Sequence, residues 1–114
     1  MATIISDEYI KQILPTGKQY CIFIFKPGPD RDQPDAEQIQ WQHVRYLFQL
    51  REDGKLSISC PVADGSDVLG IGILNTSDLK EAKTILDNDP NVKKGRLIYE
   101  MHTCFGLPGD CLSK

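Results

Sequence analysis

The spacing of apolar residues changes period several times along the chain, and the changes mark its elements. Residues 19–26 (QYCIFIFK) form an aromatic and β-branched run that reads as a strand buried on both faces. Pro27-Gly28-Pro29-Asp30 ends it, and a polar loop follows to Pro34. Asp35 opens a helix over residues 35–52, with Gln38 placed as in a capping box and Gly54 at the position after the helix end. Residues 55–62 alternate, with Leu56, Ile58, Cys60 and Val62 on one face of a half-buried strand. After the ADGSD turn, residues 68–74 read as another strand whose glycines, Gly70 and Gly72, share a face. Ser77-Asp78 caps a second helix with the stripe Leu79, Ala82, Ile85 and Leu86, and it must stop before Pro90. Gly95 is a turn, residues 96–104 are the last strand, and 105–114 an irregular tail. Residues 1–18 read as an N-terminal extension in which Ser6-Asp7-Glu8 can cap a short helix, stopped by Pro15 and Gly17.

The order β-α-β-β-α-β is the split pattern of ferredoxin-like folds. It predicts an α+β protein: a four-stranded antiparallel sheet with two helices on one face, all within a single domain spanning 1–114. The last strand carries apolar groups on both faces, so the second sheet face needs cover. A second copy packed sheet on sheet, in a homodimer, is the simplest cover.

Composition narrows the function classes. With 114 residues, 40% of them hydrophobic, the chain can build one core and is not disordered. A net charge of −3 lacks the basic excess of a nucleic-acid binder. No apolar run approaches the roughly 20 residues of a membrane span. The N-terminus resembles neither an export signal nor a lipidation motif, so a cytoplasmic protein is expected. Cys21, Cys60, Cys104 and Cys111 show no zinc spacing and are expected as free buried thiols. No phosphate loop, nucleophile elbow or dinucleotide fingerprint is present, so neither cofactor nor metal is expected.

Two histidines remain. On the first helix, Ile39, His43, Tyr46, Leu47 and Leu50 fall within one stripe, so His43 faces the sheet. A buried histidine is often only a hydrogen-bonded core residue. Here the topology also gathers Lys26, Asp64, Ser66, Asp67, Asp87 and Asp89 at the sheet end next to it. A carboxylate beside an imidazole fixes its tautomer and suits acid–base work, and Gly70 and Gly72 could leave room for a ligand. His102 reads as an edge or interface residue, since His102 and Cys104 are too few for a metal site. Trp41, Val44 and Phe48 make a second apolar stripe opposite the first. Cover by Tyr9, Ile10 and Ile13 is expected, the alternative being a partner-binding face.

The run HVRYLFQLREDGKLSISCPVADGS, then VLGIGIL and LDNDPNVKKGRLIYEM, with FIFKPGPD before the first helix, resembles the YciI-like (YCII-related) domain family over roughly residues 19–104. The resemblance implies a dimeric α+β barrel and a small enzyme built on a helix histidine, matching His43, and an aspartate, matching Asp64 or Asp89. It implies isomerase- or lyase-type proton transfer on a small carbonyl or aromatic metabolite. Ser66, which falls in the same turn as Asp64, and Lys26 from the same sheet end are expected as substrate-binding residues. Where the family has Gly-Pro after the second strand, this chain has Cys60-Pro61, which would narrow the pocket. A non-catalytic ligand-binding or sensor module in the same pocket is the alternative.

Overall fold

The computed structural model describes residues 3–114; Met1 and Ala2, the start of the expected extension, lie outside the described residues. Four helices and four strands follow in the order α1 (Asp7–Ile13), β1 (Lys18–Pro27), α2 (Ala36–Glu52), β2 (Leu56–Pro61), β3 (Gly70–Leu74), α3 (Leu79–Asp87), α4 (Pro90–Lys93) and β4 (Leu97–Gly106). The strands form one antiparallel sheet in the order β2-β3-β1-β4, the ferredoxin-like arrangement.

Strand alternation decides the core. Cys21, Phe23 and Phe25 of β1 face the helices and are buried with Leu74, Leu50, Ala82, Ile85, Leu86 and Leu97. The opposite face of β1 carries Ile22, Ile24 and Lys26, which are only half-buried, so the strand is not buried on both sides as its sequence suggests. Tyr46 fastens α2 to α3 by donating its hydroxyl to the Ile85 carbonyl at 2.8 Å.

Several boundaries differ from the sequence reading for local reasons. Asp35 precedes α2 but its side chain caps nothing, so the capping box is absent; Ala36 N–H instead donates to the Gln33 carbonyl at 3.0 Å. α3 ends at Asp87, and Pro90 then starts a separate turn, α4, at the first helical position where its missing N–H costs nothing. β3 begins at Gly70, with Leu69 N–H donating to the Phe25 carbonyl at 2.8 Å just before it, while Val68 N–H is taken by Ser66 Oγ at 3.2 Å.

The main departure lies in β2. A bulge between Leu56 and Ile58 slips the register by one residue. Leu56 pairs with Leu74 on the helix side, whereas Ile58 and Cys60 pair with Ile73 and Ile71 on the open face. Leu56, Ile58 and Cys60 therefore do not share a face. Ser59 and Pro61 turn toward the helices instead, opposite Gly72 and Gly70.

The N-terminal helix forms as expected, with Ser6 Oγ accepting from Tyr9 N–H at 3.2 Å. It buries no residue, and it does not cover the second stripe of α2: Trp41 is 61% exposed and Phe48 58%. The thiols are free, but only Cys21 is buried; Cys60 and Cys104 are half-buried and Cys111 is exposed. Among the described residues no helix is long and apolar enough to cross a membrane.

Candidate active site

His43 sits two turns into α2 on the stripe that meets the sheet, and its ring packs edge-on against Phe25 with centroids 5.7 Å apart. It is 8% exposed. Its partner comes from a different part of the chain. Asp89 is the cap of α4, where its Oδ1 accepts from Asn91 N–H at 2.9 Å. The Asp-Pro step holds it extended, at φ −63° and ψ 129°, and it is 1% exposed. Both of its carboxylate oxygens lie on His43 Nδ1, at 2.8 and 2.7 Å.

This geometry fixes the imidazole. A carboxylate that already serves a cap offers only lone pairs, so Nδ1 carries the hydrogen and donates it. In the neutral ring the lone pair is then at Nε2, which makes no hydrogen bond among the described residues. Such a ring can take a proton at Nε2 while the carboxylate stabilises the imidazolium formed.

Beside His43 lies a cavity of about 750 Å³, bounded by α2, the edge of β2 and the Cys111-Leu112 stretch of the tail. That volume suits a small-molecule site, for which roughly 300–1,000 Å³ is usual. The β2 bulge helps to create it. Ser59, Pro61 and Gly70 present little side-chain bulk on the helix side, and all three line the space. Gly70 thus leaves room, as expected. Gly72 does not, because the Phe23 ring occupies its side-chain position, with Cζ 2.2 Å from where a Cβ would stand. Cys60 borders the cavity from the edge of β2, with its side chain on the open face rather than in the core.

The acids do not converge as the topology suggested. Asp64 closes its own turn, accepting from Ser66 N–H at 3.0 Å and Ser66 Oγ at 2.6 Å, which holds its carboxyl below the usual carboxylate range. Asp87 takes Lys83 Nζ at 2.6 Å and the Tyr99 hydroxyl at 2.5 Å. Lys26 points to the open face by strand alternation, where it pairs with Glu100 at 2.7 Å and lies 4.0 Å from Asp67. Asp64, Ser66 and Lys26 neither touch His43 nor line the cavity. His102 is exposed on the open face, 3.4 Å from Glu100.

Four polar residues that the sequence reading passed over surround the pair. Gly28 N–H donates to the Arg96 carbonyl and Asp30 N–H to that of Gly95, both at 2.9 Å, which brings the loop after β1 onto the entry to β4. Gly95 makes this possible with φ +75°, and its carbonyl would stand 2.2 Å from a Cβ on Gly28. Buried Arg96 then donates Nε to the Arg31 carbonyl at 3.0 Å, and Nη1 to Asn91 Oδ1 at 2.6 Å and Gln40 Oε1 at 3.2 Å. Asn91 Nδ2 completes the set on Gln40 Oε1 at 3.0 Å. Burial, and then the neighbouring Arg31, push the Arg96 guanidinium below its ordinary value. The only sequence signals were an arginine after Gly95 and an asparagine after Asp-Pro, each commonplace in loops.

No curated protein matches the chain. Among solved structures it is similar to the 5-chloro-2-hydroxyhydroquinone dehydrochlorinase of Burkholderia phenoliruptrix in complex with 2,5-dihydroxybenzoquinone. The identity is 20%, the match covers 72% of this chain and 90% of that one, and the TM-score is 0.47. The family model of the YCII-related domain matches residues 19–102, most of the sheet together with His43 and Asp89. The chain belongs to the YCII-related domain family.

Proposed function

We propose that the protein is a small acid–base enzyme in which His43 and Asp89 move a proton on a small carbonyl or aromatic compound held in the cavity. The observation that carries this reading is the buried Asp89 carboxylate on His43 Nδ1, at the wall of a cavity of small-molecule size. His43 Nε2 takes a proton from an acidic C–H, Asp89 stabilises the resulting imidazolium, and the proton returns to another atom of the substrate. Return to carbon gives isomerisation; delivery to a departing group gives elimination. Neither outcome changes the oxidation state of the protein, so the pair suffices for the proton steps.

The reading includes a homodimer through the open face of the sheet. That face carries Ile22, Ile24, Ile58, Ile71, Ile73 and Ile98, of which Ile98 is 51% exposed and Ile71 38%. An apolar surface of this kind favours association.

The test is hydrogen–deuterium exchange at the acidic C–H of a panel of small enolisable cyclic ketones and lactones, followed by proton NMR in D₂O. The protein should catalyse exchange, and His43→Ala should lose about 10²- to 10⁴-fold of the rate. Exchange that survives His43→Ala contradicts the reading. Binding without exchange by the native protein favours a ligand-binding module in the same cavity.

A further inference from the structure

The cavity carries a cationic group that proton transfer at His43 does not use. Arg31 lines it, and the Arg31 Nη1 is buried with no hydrogen-bond partner among the described residues. A buried charged donor without an acceptor is costly and rarely left so. Nor is its charge met. Among the described residues neither Arg31 nor Arg96 forms an ion pair, and the Arg96 acceptors are neutral amides and a carbonyl. Asp32 is the acid that acts on Arg96, from outside hydrogen-bond range, and Asp89 is committed to His43 and Asn91. Arg31 thus brings a guanidinium to a mostly apolar cavity, and Arg96, which does not line the cavity itself, holds the Arg31 backbone by donating Nε to its carbonyl.

We propose that Arg31 binds the oxyanion of a small organic acid in this cavity, so that the compound presented to His43 is an anion with an apolar ring or chain. The proposal rests on the cavity being the substrate site and names the class of compound it takes. Apolar walls at Phe25, Val44 and Leu47 hold the body of the ligand. Arg31 supplies a planar, permanently charged donor suited to a carboxylate or enolate oxygen. A site built to hydrogen-bond an oxyanion should discriminate strongly against a neutral isostere, because the donor is then left unpaired.

The test is an NMR titration of the isotope-labelled native protein with benzoate and with its neutral isostere benzamide, at fixed ionic strength. Benzoate should give saturable shifts at Arg31 and His43 and bind at least about tenfold more tightly than benzamide. Arg31→Gln should remove that preference, and Arg31→Lys should retain part of it. Equal binding of the two probes, no saturable shift with benzoate, or an unchanged preference in Arg31→Gln overturns the proposal. If Arg31→Gln does not fold, the benzoate–benzamide contrast in the native protein and in Arg31→Lys decides. The readout is equilibrium binding. Its failure leaves proton transfer by His43 standing, and a protein that binds benzoate but never exchanges deuterium fails only the acid–base reading.

Discussion

The Phe23 ring stands where a side chain on Gly72 would be: a Cβ there would lie 2.2 Å from Phe23 Cζ and 2.9 Å from the Ile58 carbonyl oxygen. The two residues are direct partners across β1 and β3. Phe23 is fully buried, and the Ile58 carbonyl belongs to the adjacent strand, so neither can step aside cheaply. Gly72→Ala should therefore lower folding stability by about 1–3 kcal/mol, as overpacking of a filled core does. Gly70→Ala is the control, since its Cβ would meet nothing closer than 3.6 Å and should cost far less. Urea denaturation of both variants checks this; equal losses would mean that the contact is unimportant.

Acid should weaken the fold through Asp87. Lys83 and then Tyr99 hold its carboxyl below the ordinary value of 3.8. A lowered folded value means that the contribution is complete above the unfolded value and is lost as pH falls through the folded one. The carboxylate is 43% exposed, so screening limits the effect to no more than about 1 kcal/mol. The stability gap between the native protein and Asp87→Asn should be widest above about pH 5 and narrow as pH falls through and below the ordinary carboxylate range. Denaturation curves across that range measure it, and a gap that widens in acid would reverse the assignment.

The open sheet face should be an interface between two copies. Light scattering should give the native protein twice its 12.8 kDa chain mass. Ile98→Asp, at a position 51% exposed, should give the single-chain mass with the fold intact by circular dichroism. A native protein that is monomeric under the same conditions removes this part of the proposal.

The element order was legible because the hydrophobic period switches cleanly between β1, α2 and β3, and because prolines and glycines punctuate it. The place of His43 followed from its helical stripe, whereas Asp89 was, with Asp64, one of two candidate partners, and it is the structure that separates them. The β2 bulge was not legible. Leu56, Ile58 and Cys60 alternate without a break in sequence, and nothing in that pattern shows that Ser57 is the unpaired extra residue. The acids at 64, 67 and 87 could not be sorted from Asp89, because their destinations depend on Ser66, Lys26, Lys83 and Tyr99 rather than on the position of their turns. Arg31 lay in a segment that read as a polar loop, and Arg96 at the first position of the last strand, where nothing in the pattern marks it for burial beside that loop. The close approach of Gly28 to Gly95, with the backbone bonds from Gly28 and Asp30 to the Arg96 and Gly95 carbonyls, brings them together.

The central claim is that Asp89 sets His43 to act through Nε2, and the ring nitrogens report this directly. Nitrogen-15 NMR of the neutral His43 ring should show the hydrogen on Nδ1 and a bare Nε2 in the native protein. Asp89→Asn should release that preference and lower any exchange activity with it. A native ring with the hydrogen on Nε2, or a tautomer indifferent to Asp89→Asn, would contradict the account.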